Sequence, residues 1–250
     1  MYNSSVKPVL GVLGGMGVLA SSEFVQTIYD YNTHENEQEC PPVILYSDPT
    51  FPDRTNALLS NSDGRLVDLL ARRLEQFYEL GADKVVLCCV TLHYLLPRMP
   101  ANLKRGLISL VDVALSNAAE SRRRQLLLCS TGAREARLFQ SHERWGQAAD
   151  YIVWPDAEDQ AFIHTLLYQY KIMNGQQPFL PHLKRLLDKY RVDSFIAGCS
   201  ELHMLTKHLL KSEERYCFID PLMIIAEQLP VFLQAECSSR GSVRSNACRL

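Results

Sequence analysis

The chain has 250 residues, 47% apolar and 22% charged, an ordinary globular composition that suits one large core or two smaller ones. A net charge of −2 gives no electrostatic reason to bind nucleic acid or an anionic membrane, and no apolar run reaches the roughly eighteen residues of a membrane span. The eight cysteines show no Cys-x-x-Cys spacing, which makes zinc binding and thioredoxin-like redox chemistry weak readings; a reduced, cytoplasmic chain is expected.

The opening MYNSSVKPVLGVLGG has one Lys and a short, Gly-broken apolar stretch, so it reads as a first strand and not as a signal peptide. Further strand-like runs follow in order: PVILYSD, DKVVLCCV, QLLLCST, YIVWP, DSFIAGCS and RYCFID. Segments with helical spacing separate most of them. Over 64–83, Leu66, Leu69, Leu70, Leu74, Phe77 and Tyr78 form one apolar face, and Gly81 ends the helix. QAFIHTLLYQYKIMNG (160–175) and PHLKRLLDKYR (181–191) have similar spacing.

Alternating helices and short buried strands predict an α/β protein with parallel sheets. The order rhymes: VVLCCVTLH follows one helix, and FIAGCSELH follows another. This predicts two pseudo-symmetric, Rossmann-like lobes. The first comprises 1–112 plus 218–236, with an apolar helix near 221–234 returning to it, and the second comprises 113–217. The Ser/Arg-rich, aperiodic tail 237–250 is expected to be disordered.

In parallel α/β sheets, ligands bind beyond the carboxyl ends of the strands. Cys89 and Cys199 fall there. If the lobes face each other, the two thiols flank one cleft. That arrangement suits removal of a proton from one face of a carbon and its return to the other, because one base does not easily reach both faces. One sulfur must start as thiolate and the other as thiol. Thiols ionise more readily near cations or helix N-termini, and both cysteines sit at strand-to-helix junctions. A lone strand cysteine is usually core, which fits Cys129 and Cys88, the latter facing away from Cys89. Matching contexts shift the balance for Cys89 and Cys199. Gly198 permits close backbone approach, and Ser200 and Glu201 are placed to donate or accept hydrogen bonds.

Four segments carry a resemblance: GVLGGMG (11–17), PDRT (52–55), CVTLH (89–93) and GCSEL (198–202). With these in this order, the chain resembles the PLP-independent aspartate/glutamate racemase superfamily, which has CNTAH-like and GCTEL-like segments. Within it the aspartate racemase branch matches better, since the Asp-Ser-Gly opening of glutamate racemases is absent. The sequence looks most like aspartate racemases of cyanobacterial peptide-toxin (microcystin) biosynthesis.

The resemblance implies the two-lobed Asp/Glu racemase fold, a homodimer, a small amino-acid substrate, no cofactor and no metal. It implies interconversion of L- and D-aspartate, with Cys89 and Cys199 as the acid/base pair. Arg54 becomes a carboxylate fork, whereas its residues alone suggest a solvated Arg in a helix cap made by Asp53 and Thr55. Lys171 stands for a second-lobe lysine, with a longer spacing to its glycine, Gly175. Thr131 and Gly132 are placed to hold an α-carboxylate, and Met16 to lie over the substrate. Val90 stands where the family usually has Asn, which leaves the backbone N–H groups of Val90 and Thr91 for the carboxylate. His203 stands where Pro is common, and it either tunes the nearby thiol or covers the cleft mouth. For His93 an orienting role and a proton role are both open.

Alternatives are a related isomerase or racemase acting on glutamate, a hydantoin or maleate, or a catalytically weak amino-acid-binding homologue. Gly15, Gly17 and Ala20 also fit G-x-G-x-x-A after a strand. The acidic residue needed about twenty positions on falls in the polar NTHENEQE, so a dehydrogenase is a distant alternative.

Overall fold

The computed structural model describes residues 7–172, 178–213 and 215–234. The tail 237–250 and Gly175 lie outside these. Eight strands form: β1 Leu10–Gly14, β2 Val43–Ser47, β3 Lys84–Leu87, β4 Leu107–Ile108, β5 Gln125–Cys129, β6 Ile152–Val153, β7 Ser194–Gly198 and β8 Cys217–Ile219. They pair in parallel into two four-stranded sheets, ordered β2-β1-β3-β4 and β6-β5-β7-β8. The order is the same in both, so β3 and β7 are equivalent strands, as are β1 and β5. The central strands β1, β5 and β7 are buried throughout. They read as near-continuous apolar runs because a parallel sheet is covered on both faces.

Three apolar layers hold the chain together. The helix Gly64–Glu79 buries Leu66, Leu69, Leu70, Leu74 and Phe77 on the outer face of the first sheet, and a positive φ of 87° at Gly81 follows its end. Burying each of these side chains contributes about 1.5–3 kcal/mol. The helices Ala157–Tyr170 and Leu180–Tyr190 cover the outer face of the second sheet in the same way. The inner faces share one core. Leu10, Val12, Val86 and Cys88 come from the first sheet, and Leu127, Cys129, Ile196 and Ile219 from the second. The helices Val18–Tyr31, Leu110–Ser121 and Pro221–Glu227 pack between them.

The structure differs from the sequence reading at several boundaries. The break at 112/113 falls inside the helix Leu110–Ser121, whose Leu110, Val111, Val113, Ala114 and Leu115 all enter the shared core. Residues 218 and 219, expected in the first lobe, pair with β7 in the second sheet. The expected 221–234 helix is two pieces, Pro221–Glu227 and Leu229–Gln234, because Pro230 has no N–H with which to continue the first. Cys88 and Cys129 are fully buried core residues. Cys217 is disulfide-bonded, against the expectation of an all-reduced chain. Among the described residues, no helix is long and apolar enough to cross a membrane, and no His, Cys, Asp and Glu cluster is suited to a metal ion.

Candidate active site

The chain leaves β3 and β7 by the same route. After β3, Leu92 N–H donates to the Cys89 carbonyl (3.2 Å) and His93 N–H to the Val90 carbonyl (3.0 Å). After β7, Leu202 N–H donates to Cys199 (3.1 Å) and His203 N–H to Ser200 (3.1 Å). Each cysteine therefore ends a strand and starts a helical turn. Gly198 is needed for this approach: a Cβ there would stand 2.8 Å from Leu127 Cδ1 and 2.9 Å from Cys129 Cβ. His93 braces the first turn. Its Nε2 accepts from Leu110 N–H (3.2 Å), which leaves Nδ1–H to donate to the Cys89 carbonyl (3.1 Å). Burial lowers its pKa to about 4, so the ring is neutral and both nitrogens are engaged by backbone. This favours the orienting role over the proton role.

Cys89 and Cys199 are 5% and 8% exposed, and the Cys89 charge is felt at Cys199 across the seam between the two sheets. Their partners differ in sign. Arg54 lies beside Cys89 and is 8% exposed; it is not solvated. Its Nη2 donates to the Met16 carbonyl (2.7 Å) and its Nη1 to the Pro52 carbonyl (3.1 Å). Burial opposes the guanidinium charge, but Cys89, Asp53 and Glu201 outweigh that and hold its pKa above the ordinary value. Cys199 faces an anion instead. Its Sγ–H donates to Glu201 Oε2 (2.9 Å), which also accepts from Ser200 Oγ (3.2 Å). Burial first, then the Glu201 charge and hydrogen bond, push this thiol far above its usual range, with Lys171 opposing. The second oxygen, Glu201 Oε1, is buried without a hydrogen-bond partner. It lies over Gly17, where a Cβ would be 2.7 Å away.

Further ties cross the seam. Thr91 Oγ1 bonds Ser130 Oγ (2.8 Å), and Ser130 Oγ also accepts from Ala133 N–H (3.1 Å) at the start of the turn that carries Thr131 and Gly132. Gly132 abuts Thr55, whose Oγ1 would be 2.6 Å from an added Cβ. Thr131 N–H donates to His164 Nδ1 (3.3 Å), so it is already engaged. Asp53 does cap the helix Arg54–Leu59 through Asn56 N–H, as its residue type suggests. It also accepts from Tyr168 Oη (2.6 Å) and lies 3.9 Å from Lys171 Nζ, which sits 3.7 Å over the Tyr168 ring.

The fold thus gathers Cys89, Arg54, Thr91, Thr131, Gly132, Lys171, Cys199, Ser200 and Glu201 at the carboxyl ends of the strands. The Val90 side chain packs in the shared core, so only its backbone, the group expected at the carboxylate, is offered to the site, and Met16 packs in the cluster that also holds Cys89, with its carbonyl on Arg54. His164 and Tyr168 belong to the site without having been singled out from sequence. The signal was present: His164, Tyr168 and Lys171 recur at i, i+4 and i+7 on one helix face. The glycine turn does not fit a dinucleotide. A Cβ at Gly15 (φ 90°) would meet the Asp48 backbone at 2.3 Å, and Gly17 faces the Glu201 carboxylate.

Comparison with known proteins places the fold. The model of the Asp/Glu/hydantoin racemase family matches residues 13–229. Among solved structures, Picrophilus torridus aspartate racemase superposes with a TM-score of 0.75 at 21% identity, covering 90% of this chain and 94% of that one. Francisella tularensis glutamate racemase, in complex with D-glutamate, gives 0.59 at 12% identity, covering 91% and 81%. Klebsiella pneumoniae allantoin racemase gives 0.55 at 17% identity, covering 95% and 93%. The chain belongs to the Asp/Glu/hydantoin racemase family and has its two-sheet α/β fold.

Proposed function

From that membership we propose that the chain is a cofactor-independent amino-acid racemase that interconverts L- and D-aspartate, with Cys89 and Cys199 working on opposite faces of the α-carbon. One observation carries the reading: equivalent turns place two buried thiols at one seam, with a guanidinium beside one and a carboxylate on the other. Cys89 starts as thiolate next to Arg54, and Cys199 as a thiol held by Glu201.

In one direction, the Cys89 thiolate takes the α-proton and its electron pair stays on the substrate as a carbanion. Cys199 Sγ–H then protonates the opposite face and is left as thiolate. For the other enantiomer the same steps run backwards from the state this turnover leaves, with Cys89 as thiol and Cys199 as thiolate. The α-proton is far less acidic than a thiol, so charge stabilisation at the substrate carboxylate must supply much of the rate. Arg54 has N–H groups beyond those given to Met16 and Pro52, and its planar fork suits a carboxylate. Lys171 supplies a second cation, which favours a dicarboxylic substrate over allantoin or a hydantoin. The likeness to the microcystin-associated aspartate racemases rests on the sequence motifs alone.

The test is incubation of single enantiomers of aspartate, glutamate and alanine in deuterated water, followed by NMR and chiral chromatography. Deuterium should enter the α-position of aspartate as the opposite enantiomer accumulates. Aspartate binding without exchange would leave an amino-acid-binding homologue. Homodimer formation accompanies the proposal and is tested by sedimentation.

A further inference from the structure

We infer that His203 is a positioning residue: it clamps three helices together so that Glu201 stays on the Cys199 thiol. This rests on the two-thiol reading of the site. His203 is 1% exposed and therefore does not cover a cleft mouth. It lies two residues after Glu201, in the first turn of the helix Leu202–Lys211. Its Nδ1 bonds Asp220 Oδ2 at 2.6 Å, and its Nε2 lies 2.8 Å from Thr27 Oγ1. Asp220 Oδ1 already caps the helix Pro221–Glu227 through Leu222 and Met223 N–H, which leaves Oδ2 for His203 and for Thr206 Oγ1 (2.5 Å). Thr27, on the helix Val18–Tyr31, donates its hydroxyl proton to the Glu23 carbonyl (2.8 Å). Its lone pairs are then free to accept Nε2–H.

The clamp reaches the site by a short path. The helix Val18–Tyr31 starts directly after Gly17, and Gly17 is the surface against which Glu201 Oε1 rests. One turn beyond His203, Lys207 repeats the tie to that helix through Asp30 (2.5 Å) and Glu23 (3.0 Å). The equivalent histidine after β3 has no such role, since His93 bonds only backbone. Losing the His203 clamp lets the helix Leu202–Lys211 shift from the helix Val18–Tyr31. The Glu201 carboxylate then leaves the Cys199 thiol, while Cys89 and Arg54 stay as they are.

The experiment is pH-dependent alkylation by iodoacetamide, read at each cysteine by peptide mass spectrometry, on the wild type, His203→Leu and Thr27→Val. His203→Leu should speed alkylation of Cys199 roughly tenfold at neutral pH, because the thiol loses the anion that opposes its ionisation. Cys89 should change by less than about twofold. Thr27→Val, nearly isosteric, should move Cys199 in the same direction by a smaller factor. Equal acceleration at both cysteines would mean general loosening and would overturn the proposal, as would an unchanged Cys199 in a folded His203→Leu protein. If His203→Leu does not fold, Thr27→Val decides. The readout needs no turnover, so a protein that fails to exchange α-protons yet shows the selective Cys199 response would lose the racemase reading and keep the clamp.

Discussion

Gly17→Ala tests the grip on Glu201 with one carbon atom. Gly17 has φ −123° and ψ 126°, an extended backbone that alanine adopts freely, so the substitution acts only through what its Cβ meets. That is Glu201 Oε1 at 2.7 Å, whereas ordinary contact begins near 3.4 Å, so the carboxylate must retreat by about 0.7 Å. Glu201 is 2% exposed and bound through Oε2 to Cys199 and Ser200, and the retreat comes at the expense of those bonds. A hydrogen bond to a charged group contributes about 1.5–3 kcal/mol. At about 1.36 kcal/mol per factor of ten, kcat should fall about 10- to 150-fold if that bond is used in the reaction. The assay is aspartate racemisation by circular dichroism, with a thermal melt to confirm folding. In a Glu201→Gln background, the added methyl should cost far less, because the charged bond is already gone. A folded Gly17→Ala enzyme with kcat within about twofold of wild type would refute a working role for the Glu201 contact.

Cys89→Ser and Cys199→Ser should each abolish racemisation in both directions, since each direction uses both sulfurs; turnover near wild type in either variant ends the two-thiol scheme. Arg54→Ala should raise the aspartate concentration needed for half-maximal exchange more than that for alanine, and equal changes would remove its role as a carboxylate fork. His93 predicts an acid-sensitive fold. Its folded pKa of about 4 lies below the ordinary histidine value of 6.5, so unfolded chains bind the proton more readily. The neutral-ring contribution is complete above about 6.5 and drains away as pH falls towards 4, by about 3 kcal/mol in total. Urea unfolding at pH 7 and pH 5 should show about 2 kcal/mol of that loss, and His93→Gln should show a shallower dependence; identical slopes would contradict the bonding described for the ring.

Much of this was legible in the sequence, for physical reasons. A strand buried on both faces has to be apolar throughout, so β1, β3, β5 and β7 stand out, and the thiols stand out at the ends of two of them. The helix Gly64–Glu79 shows a clean stripe because its other face meets water. The helix Leu110–Ser121 shows none, because it lies in the shared core with Leu110, Val111, Val113, Ala114, Leu115 and Ala118 on several sides. It was read as a break between lobes for that reason. Arg54 was legible by type and not by burial, since PDRT alone reads as a capped turn. The Tyr168–Asp53 bond joins residues 115 positions apart, and local spacing does not encode that.

A racemase on a duplicated fold has a problem that its symmetry does not solve. Two lobes with the same strand order present two thiols from the same kind of turn, and identical surroundings would load both with a proton or neither. The proposed two-thiol mechanism needs one of each in either direction. The difference is written at the residues around two matching frames, Cys-x-x-x-His after β3 and again after β7. Two residues past Cys89 stands Thr91, a neutral group tied to Ser130, and Arg54, at the start of the helix Arg54–Leu59, lies beside the thiol. Two residues past Cys199 stands Glu201, an anion on the thiol itself. The histidines differ as well: His93 is neutral and spent on backbone, while His203 faces Asp220 and reaches the opposite half of the molecule. Matching backbone sets where the sulfurs stand, and in the proposed mechanism the mismatched charge around them is what distinguishes the two.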